Sequence, residues 1–142
     1  MRRTAVLALT TLCAIGALAL PANASFEKCN IYETLNWDGK GTSVKVCVNV
    51  SGSQRAAYLI ATQYNNTSIS INVSSLYLRQ CDAYGHNCIV IAQNAGSAGG
   101  ATAVAFYGDW KPVSFGHTYI ACASLTANGD PYTNICSNFW TN

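Results

Sequence analysis

Between Ser68 and Gln93 the chain reads SISINVSSLYLRQCDAYGHNCIVIAQ, and its apolar positions predict two β-strands closed by a hairpin. Ile69, Ile71 and Val73 fall on one side and Ser68, Ser70 and Asn72 on the other, the period of two that a half-buried strand shows. After Ser74-Ser75 the apolar set moves to Leu76 and Leu78. A one-residue slip would send every later side chain to the wrong face, so a bulge is expected at Ser74-Ser75. The returning arm, 88–92, is apolar on both sides, which predicts a strand covered on both faces or at least away from a sheet edge. The polar turn 82–87 puts Cys81 and Cys88 at the neck, where cross-strand geometry suits a disulfide.

The same patterning runs along the rest of the chain. Val44, Val46, Val48 and Val50 alternate with Lys45, Cys47 and Asn49, so a strand is expected over 42–50 with Cys47 on its polar side. Further strands are expected over 30–35, 56–64, 101–107 and 135–140, with turn chemistry at 36–41, Ser51-Gly52-Ser53 and Asn65-Asn66. Asn128-Gly129 is the strongest hairpin signal. A two-residue turn there would oppose Cys122 to Ile135, and a bulge near Pro131 would bring Cys136 into register. The stretch 94–100, NAGSAGG, reads as a flexible loop too short to link domains, and with no following Lys or helix pattern it is no phosphate loop. Seven or eight short strands without a helix-period segment make the expected fold all-β, an antiparallel β-sandwich.

Residues 113–121, VSFGHTYIA, set a turn glycine ahead of Tyr119, and Tyr119, Ala121 and Ala123 then share a face. This segment resembles the one before the penultimate strand of immunoglobulin and fibronectin type III domains, where a tyrosine anchors the corner. The resemblance implies a sandwich of that immunoglobulin/fibronectin-like kind.

The first 24 residues change the bookkeeping. Arg2-Arg3, an apolar run, Pro21 and the final Ala22-Asn23-Ala24 read as a secretory signal peptide, 1–24, followed by a single domain over 25–142. The style of the peptide resembles that of small actinobacterial secreted proteins. Of 8 Lys+Arg, two lie in that segment, which leaves six against 6 Asp+Glu and a net charge near zero. No basic patch argues for nucleic acid, and no membrane insertion is expected after signal cleavage. Outside the signal stand six cysteines, Cys29, Cys47, Cys81, Cys88, Cys122 and Cys136. An even set in an exported chain reads as three disulfides, and no pair has the C-x-x-C spacing of a zinc site. Six cysteines allow fifteen connectivities. Pairing of neighbours is expected: 29–47, 81–88 and 122–136.

Chemistry is sparse. The chain has two histidines, His86 and His117, no G-x-S-x-G elbow and no unpaired thiol after signal removal, so no catalytic residue, metal or cofactor is expected. Asp82 and His86 share a loop, but two ligands at a turn make no metal site. Binding is better supported. Trp37 and Trp110 lie in expected loops and Tyr84 at the hairpin tip, and aromatic rings at such places mark recognition surfaces. The expectation is a secreted, extracellular, non-catalytic module that binds carbohydrate or a cell surface through Trp37, Tyr84 and Trp110. The alternative is an inhibitor or toxin-like effector that presents a stapled loop to another protein.

Overall fold

The computed structural model describes residues 26–35, 41–65 and 67–141. The segment 1–24 and the turn 36–40, with Trp37, lie outside the described residues. Ten strands are present among them: β1 (Phe26–Leu35), β2 (Gly41–Ser51), β3 (Gln54–Gln63), β4 (Ile69–Cys81), β5 (Ile89–Ala101), β6 (Ala103–Tyr107), β7 (Lys111–Pro112), β8 (Thr118–Ala127), β9 (Asp130–Cys136) and β10 (Trp140–Thr141). They form two antiparallel sheets. The first runs β1-β2-β3-β6, with β7 also on β3; the second runs β10-β8-β4-β5, with β9 on β8.

The alternation read from the sequence decides which faces meet. Val44, Val46 and Val48 from the first sheet and Ile69, Ile71 and Leu78 from the second are fully buried between the layers. The slip at Ser74-Ser75 is absorbed as expected. Against both neighbours β4 shifts register just after Val73, and Val73 and Leu76 both end up in the core. The Asn128-Gly129 turn has φ values of 49° and 93°, the two left-handed residues that a tight hairpin of this hand requires.

All three disulfides join the expected neighbours, Cys29–Cys47, Cys81–Cys88 and Cys122–Cys136. Such a set is typical of proteins that reside outside the reducing cytosol. Cys47 lies on the outer side of β2, as its alternation predicts, yet it is fully buried. In register with Cys29 on one side and Tyr58 on the other, it is covered by its own bridge and by that ring.

Three expectations need correction. The stretch 94–100 is not a loop: it is the middle of β5, paired to β4 from Val73 to Ser70. Its glycines serve packing, because a Cβ on Gly96 would stand 2.9 Å from the Phe106 ring and one on Gly99 3.1 Å from the Ile69 carbonyl. Nor is the 88–92 arm an interior strand. β5 is the edge of its sheet and Ile89 and Val90 are exposed, so apolarity on both sides does not here report cover on both faces. The bulge that aligns Cys122 with Cys136 is not at Pro131, which pairs regularly with Thr126. The shift comes between Ala123 and Leu125, where Asn134 takes a φ of 49° and donates its N–H to the Ser124 hydroxyl at 3.0 Å. A side chain that tolerates left-handed backbone and a nearby hydroxyl acceptor locate it.

Tyrosine hydroxyls stitch the sheets along one flank. The Tyr32 hydroxyl donates to the Cys136 carbonyl at 2.6 Å and accepts from the Cys136 N–H at 3.0 Å. Deeper in, the Tyr132 hydroxyl donates to the Thr42 carbonyl and meets the Thr42 hydroxyl. Each of these bonds uses a polar group that burial would otherwise strand.

Candidate functional site

Strand direction sorts the loops into two ends. β4 ends at Cys81 beside Thr118, the start of β8, and β10 pairs Trp140 with Tyr119. The loops 82–88, 108–110, 113–117 and 137–139 therefore gather toward this end. β1 and β2 meet at the other, where Leu35 pairs with Gly41 and the Gly41 carbonyl accepts from Tyr64 N–H. Tyr84 and Trp110 thus belong to one end of the sandwich, whereas the strands flanking Trp37 converge on the opposite one.

The hairpin tip is a built turn. The Asp82 carboxylate accepts from the N–H groups of Tyr84 at 3.0 Å and His86 at 2.8 Å, and its second oxygen accepts from Asn87 Nδ2 at 2.9 Å. The His86 N–H is the first cause that holds the Asp82 pKa below its usual range; loss of solvent around the carboxylate opposes it, and the Asn87 and Tyr84 hydrogen bonds reinforce it. The Gly85 N–H closes onto the Asp82 carbonyl at 3.1 Å, and Gly85 takes a φ of 81°. That conformation carries no Cβ penalty in glycine and brings the backbone close to the Phe139 ring. Below the turn, the Cys81–Cys88 bridge shuts the neck.

A second turn lies alongside. Tyr119 is fully buried and its hydroxyl accepts from the Ser114 N–H at 2.7 Å, the corner contact anticipated from the residues around it. The Val113 N–H donates to the Ser53 carbonyl at 2.9 Å. His117 Nδ1 lies 2.9 Å from the Cys81 carbonyl, and because a carbonyl only accepts, that nitrogen carries the proton. The Thr118 hydroxyl donates to the Asp82 carbonyl, so the two turns are tied to each other.

What these turns hold out is aromatic. Tyr84 is 87% exposed, Phe115 98% and Phe139 46%. Trp110, in the loop before β7, is 42% exposed. Phe115 and Phe139 were missed in the sequence, because each was absorbed into a segment read as strand or as the approach to one, Phe139 in 135–140 and Phe115 in 113–121. Their nearness to the Gly116 turn and the chain end was the available signal. The stacked pair Tyr58 and Tyr107 on the outer face of the first sheet, with centroids 5.6 Å apart, was missed for the same reason.

Among the described residues, Glu27, Glu33 and Asp82 do not converge. Glu27 pairs with Lys45 at 2.9 Å and Glu33 accepts from the Tyr64 hydroxyl at 2.6 Å at the other end, while Asp82 is committed to its turn. Glu27, Cys29 and Cys47 bring three potential ligand atoms together, but both sulfurs are bonded to each other. Compared with family models, curated proteins and solved structures, the chain matches none.

Proposed function

We propose that the protein is a secreted, non-catalytic binding module that meets an extracellular macromolecule with the end bearing Tyr84, Phe115 and Phe139. One observation carries the reading: the Tyr84 and Phe115 rings are held almost wholly exposed, with Phe139 half-exposed beside them, on turns that disulfide, carboxylate and backbone bonds keep in shape. Exposed aromatic groups of this kind serve recognition, and a preformed loop loses little freedom on binding. Trp110 extends the surface toward the β6–β7 side.

The ligand class is carbohydrate or a cell surface, where rings stack on sugar faces. An inhibitor or toxin-like effector is the second reading, favoured by the stapled convex tip at Tyr84, which suits a pocket on another protein. The Tyr119 corner is the feature shared with immunoglobulin-like sandwiches; the strand order, with β1, β2 and β3 consecutive in one sheet, belongs to this chain.

The test pairs Tyr84→Ala, Phe115→Ser and Trp110→Ala with retention on insoluble polysaccharides and on secreted proteins. Retention is expected to fall while the melting temperature stays at the wild-type value. A wild type retained on nothing, or a Trp110→Ala that melts far lower with retention intact, would remove the binding surface and leave structural aromatics. Depletion by polysaccharide selects the first reading, and a stoichiometric protein complex selects the second.

A further inference from the structure

The two flanks of the sandwich differ. On one, β1 and β9 close over each other: the Tyr32 hydroxyl occupies both backbone groups of Cys136, and Asn138 Nδ2 donates to the Cys29 carbonyl at 2.8 Å. On the other flank the edges are β5 and β6–β7.

Sheets guard their edges with charges, prolines, bulges or sheer shortness, because an unpaired row of N–H and C=O groups is a template for another strand. β1 carries Glu27, Lys28 and Glu33. β6 has 5 residues, and β7 has two, Lys111-Pro112. β9 carries Asp130-Pro131 and the Asn134 bulge. β5 carries no charge and no proline over its 13 residues, and its two bulges, at Ile91 and Gly100, stand near its ends. Between them it runs without an extra residue from Ala92 to Gly99. Along that run the side chains are Ala, Gly, Ser, Asn and Gln, small or uncharged enough for a second backbone to come alongside. Ile89, Val90, Tyr107 and Trp110 are exposed on the same flank.

We propose that β5 is the pairing edge of a homodimer, to which a second copy of this chain adds its own β5 antiparallel about a two-fold axis normal to the sheet. The occupant follows from the edges themselves. An extended strand adds to an unguarded edge, and among the described residues of a second copy the unguarded edge is again β5. The contact is therefore isologous and closes after two chains, whereas two different open edges would propagate a filament. Uncharged residues oppose uncharged residues across the seam, with no like charges to separate. Opposed residues of an antiparallel pair point the same way, so the outer faces of both sheets merge and the exposed apolar residues of the two flanks come to one seam. This inference does not depend on the aromatic end being a binding site.

Sedimentation of the wild type over a concentration series is expected to give the mass of two chains, falling to one on dilution. Hydrogen exchange should protect backbone amides within residues 92–99 at high concentration and release them at low. A double variant, Ala95→Lys with Ser97→Lys, opposes lysines whether the axis passes Ala95 or Gly96, and should weaken association by about tenfold or more with the melting temperature of the dilute protein unchanged. Thr133→Lys on β9 should leave the dimer intact. A wild type with the mass of one chain at every concentration would overturn the proposal, as would a dimer that shows no concentration-dependent protection in β5. If the lysine variant fails to fold, the exchange measurement on the wild type still decides.

Discussion

Replacing Tyr132 by Phe removes one oxygen from the seam between the sheets. That hydroxyl donates to the Thr42 carbonyl at 3.0 Å and also meets the Thr42 hydroxyl, and both residues are buried. A neutral hydrogen bond is worth about 0.5–1.5 kcal/mol net, and a buried group left without its partner costs about 1–3 kcal/mol. Two bonds vanish together, so Tyr132→Phe should destabilise by about 2–3 kcal/mol. The ring remains, so no cavity adds to this figure. For a domain of this size, with an unfolding entropy of about 0.25 kcal/mol/K, that is roughly 8–12 °C in melting temperature. Thr42→Val alone should cost about 1–2 kcal/mol, since it removes the hydroxyl and keeps the shape. With both hydroxyls gone, a methyl faces the ring edge, and the Thr42 carbonyl alone has lost its Tyr132 donor. The double variant should therefore lose less than the two singles together, with a coupling of about 1–2 kcal/mol. Thermal and denaturant unfolding of the four proteins measures this. Additive losses, or a Tyr132→Phe that melts with the wild type, would refute the reasoning.

Three further outcomes are expected. The Asp82 carboxylate is favoured in its charged form by the turn, so the order it contributes is present above the ordinary carboxylate range and is lost as pH falls through its lowered folded value. Protection of the Tyr84 and His86 amides, taken relative to the intrinsic exchange rate at each pH, should fall in acid, and Asp82→Ala should lower it at neutral pH; protection that is the same at both pH values would count against the carboxylate's role. Removal of the Cys81–Cys88 bridge, whose sequence separation is 7, should cost less than removal of Cys29–Cys47, at 18, within a range of about 2–4 kcal/mol. Melts of the paired Cys→Ala variants give the order, and the reverse order would mean that native strain outweighs chain entropy. Gly108→Ala should destabilise by about 1–3 kcal/mol, because its Cβ would stand 2.9 Å from Asn94 Oδ1 and 3.1 Å from the Ala57 carbonyl, and that backbone is held by the Gly108 N–H itself. An unchanged melting temperature would show that this corner yields.

Of the candidate site, the hairpin tip was legible. Cys81, Asp82, Gly85 and Cys88 are local in sequence, and turn chemistry and a short disulfide loop need nothing from elsewhere. Tyr84 therefore came out exposed at a stapled tip, as its neighbours imply. That Phe115 and Phe139 share its end was not legible. Phe139 is brought under Gly85 by the pairing of Trp140 with Tyr119, and Phe115 is carried there by the Tyr119 hydroxyl, both long-range facts.

What the sequence by itself determined is what period and local stereochemistry dictate. Alternating Val44 to Val50 set the inner face of β2, the slip at Ser74-Ser75 announced a bulge, and Asn128-Gly129 made a turn, whereas six cysteines left fifteen pairings open. Such features cost or gain free energy within a few residues, whatever the rest of the chain does. Only the tertiary structure decided what covers each strand. NAGSAGG has no hydrophobic period, because its glycines are fitted to Phe106 and to the Ile69 backbone, and a residue selected for the absence of a side chain leaves no pattern to read. The apolar 88–92 arm looked interior, but the order β10-β8-β4-β5 leaves it at an edge. Cover is a property of neighbours brought from afar, and periodicity along one strand records its two faces without recording who, if anyone, stands beside it.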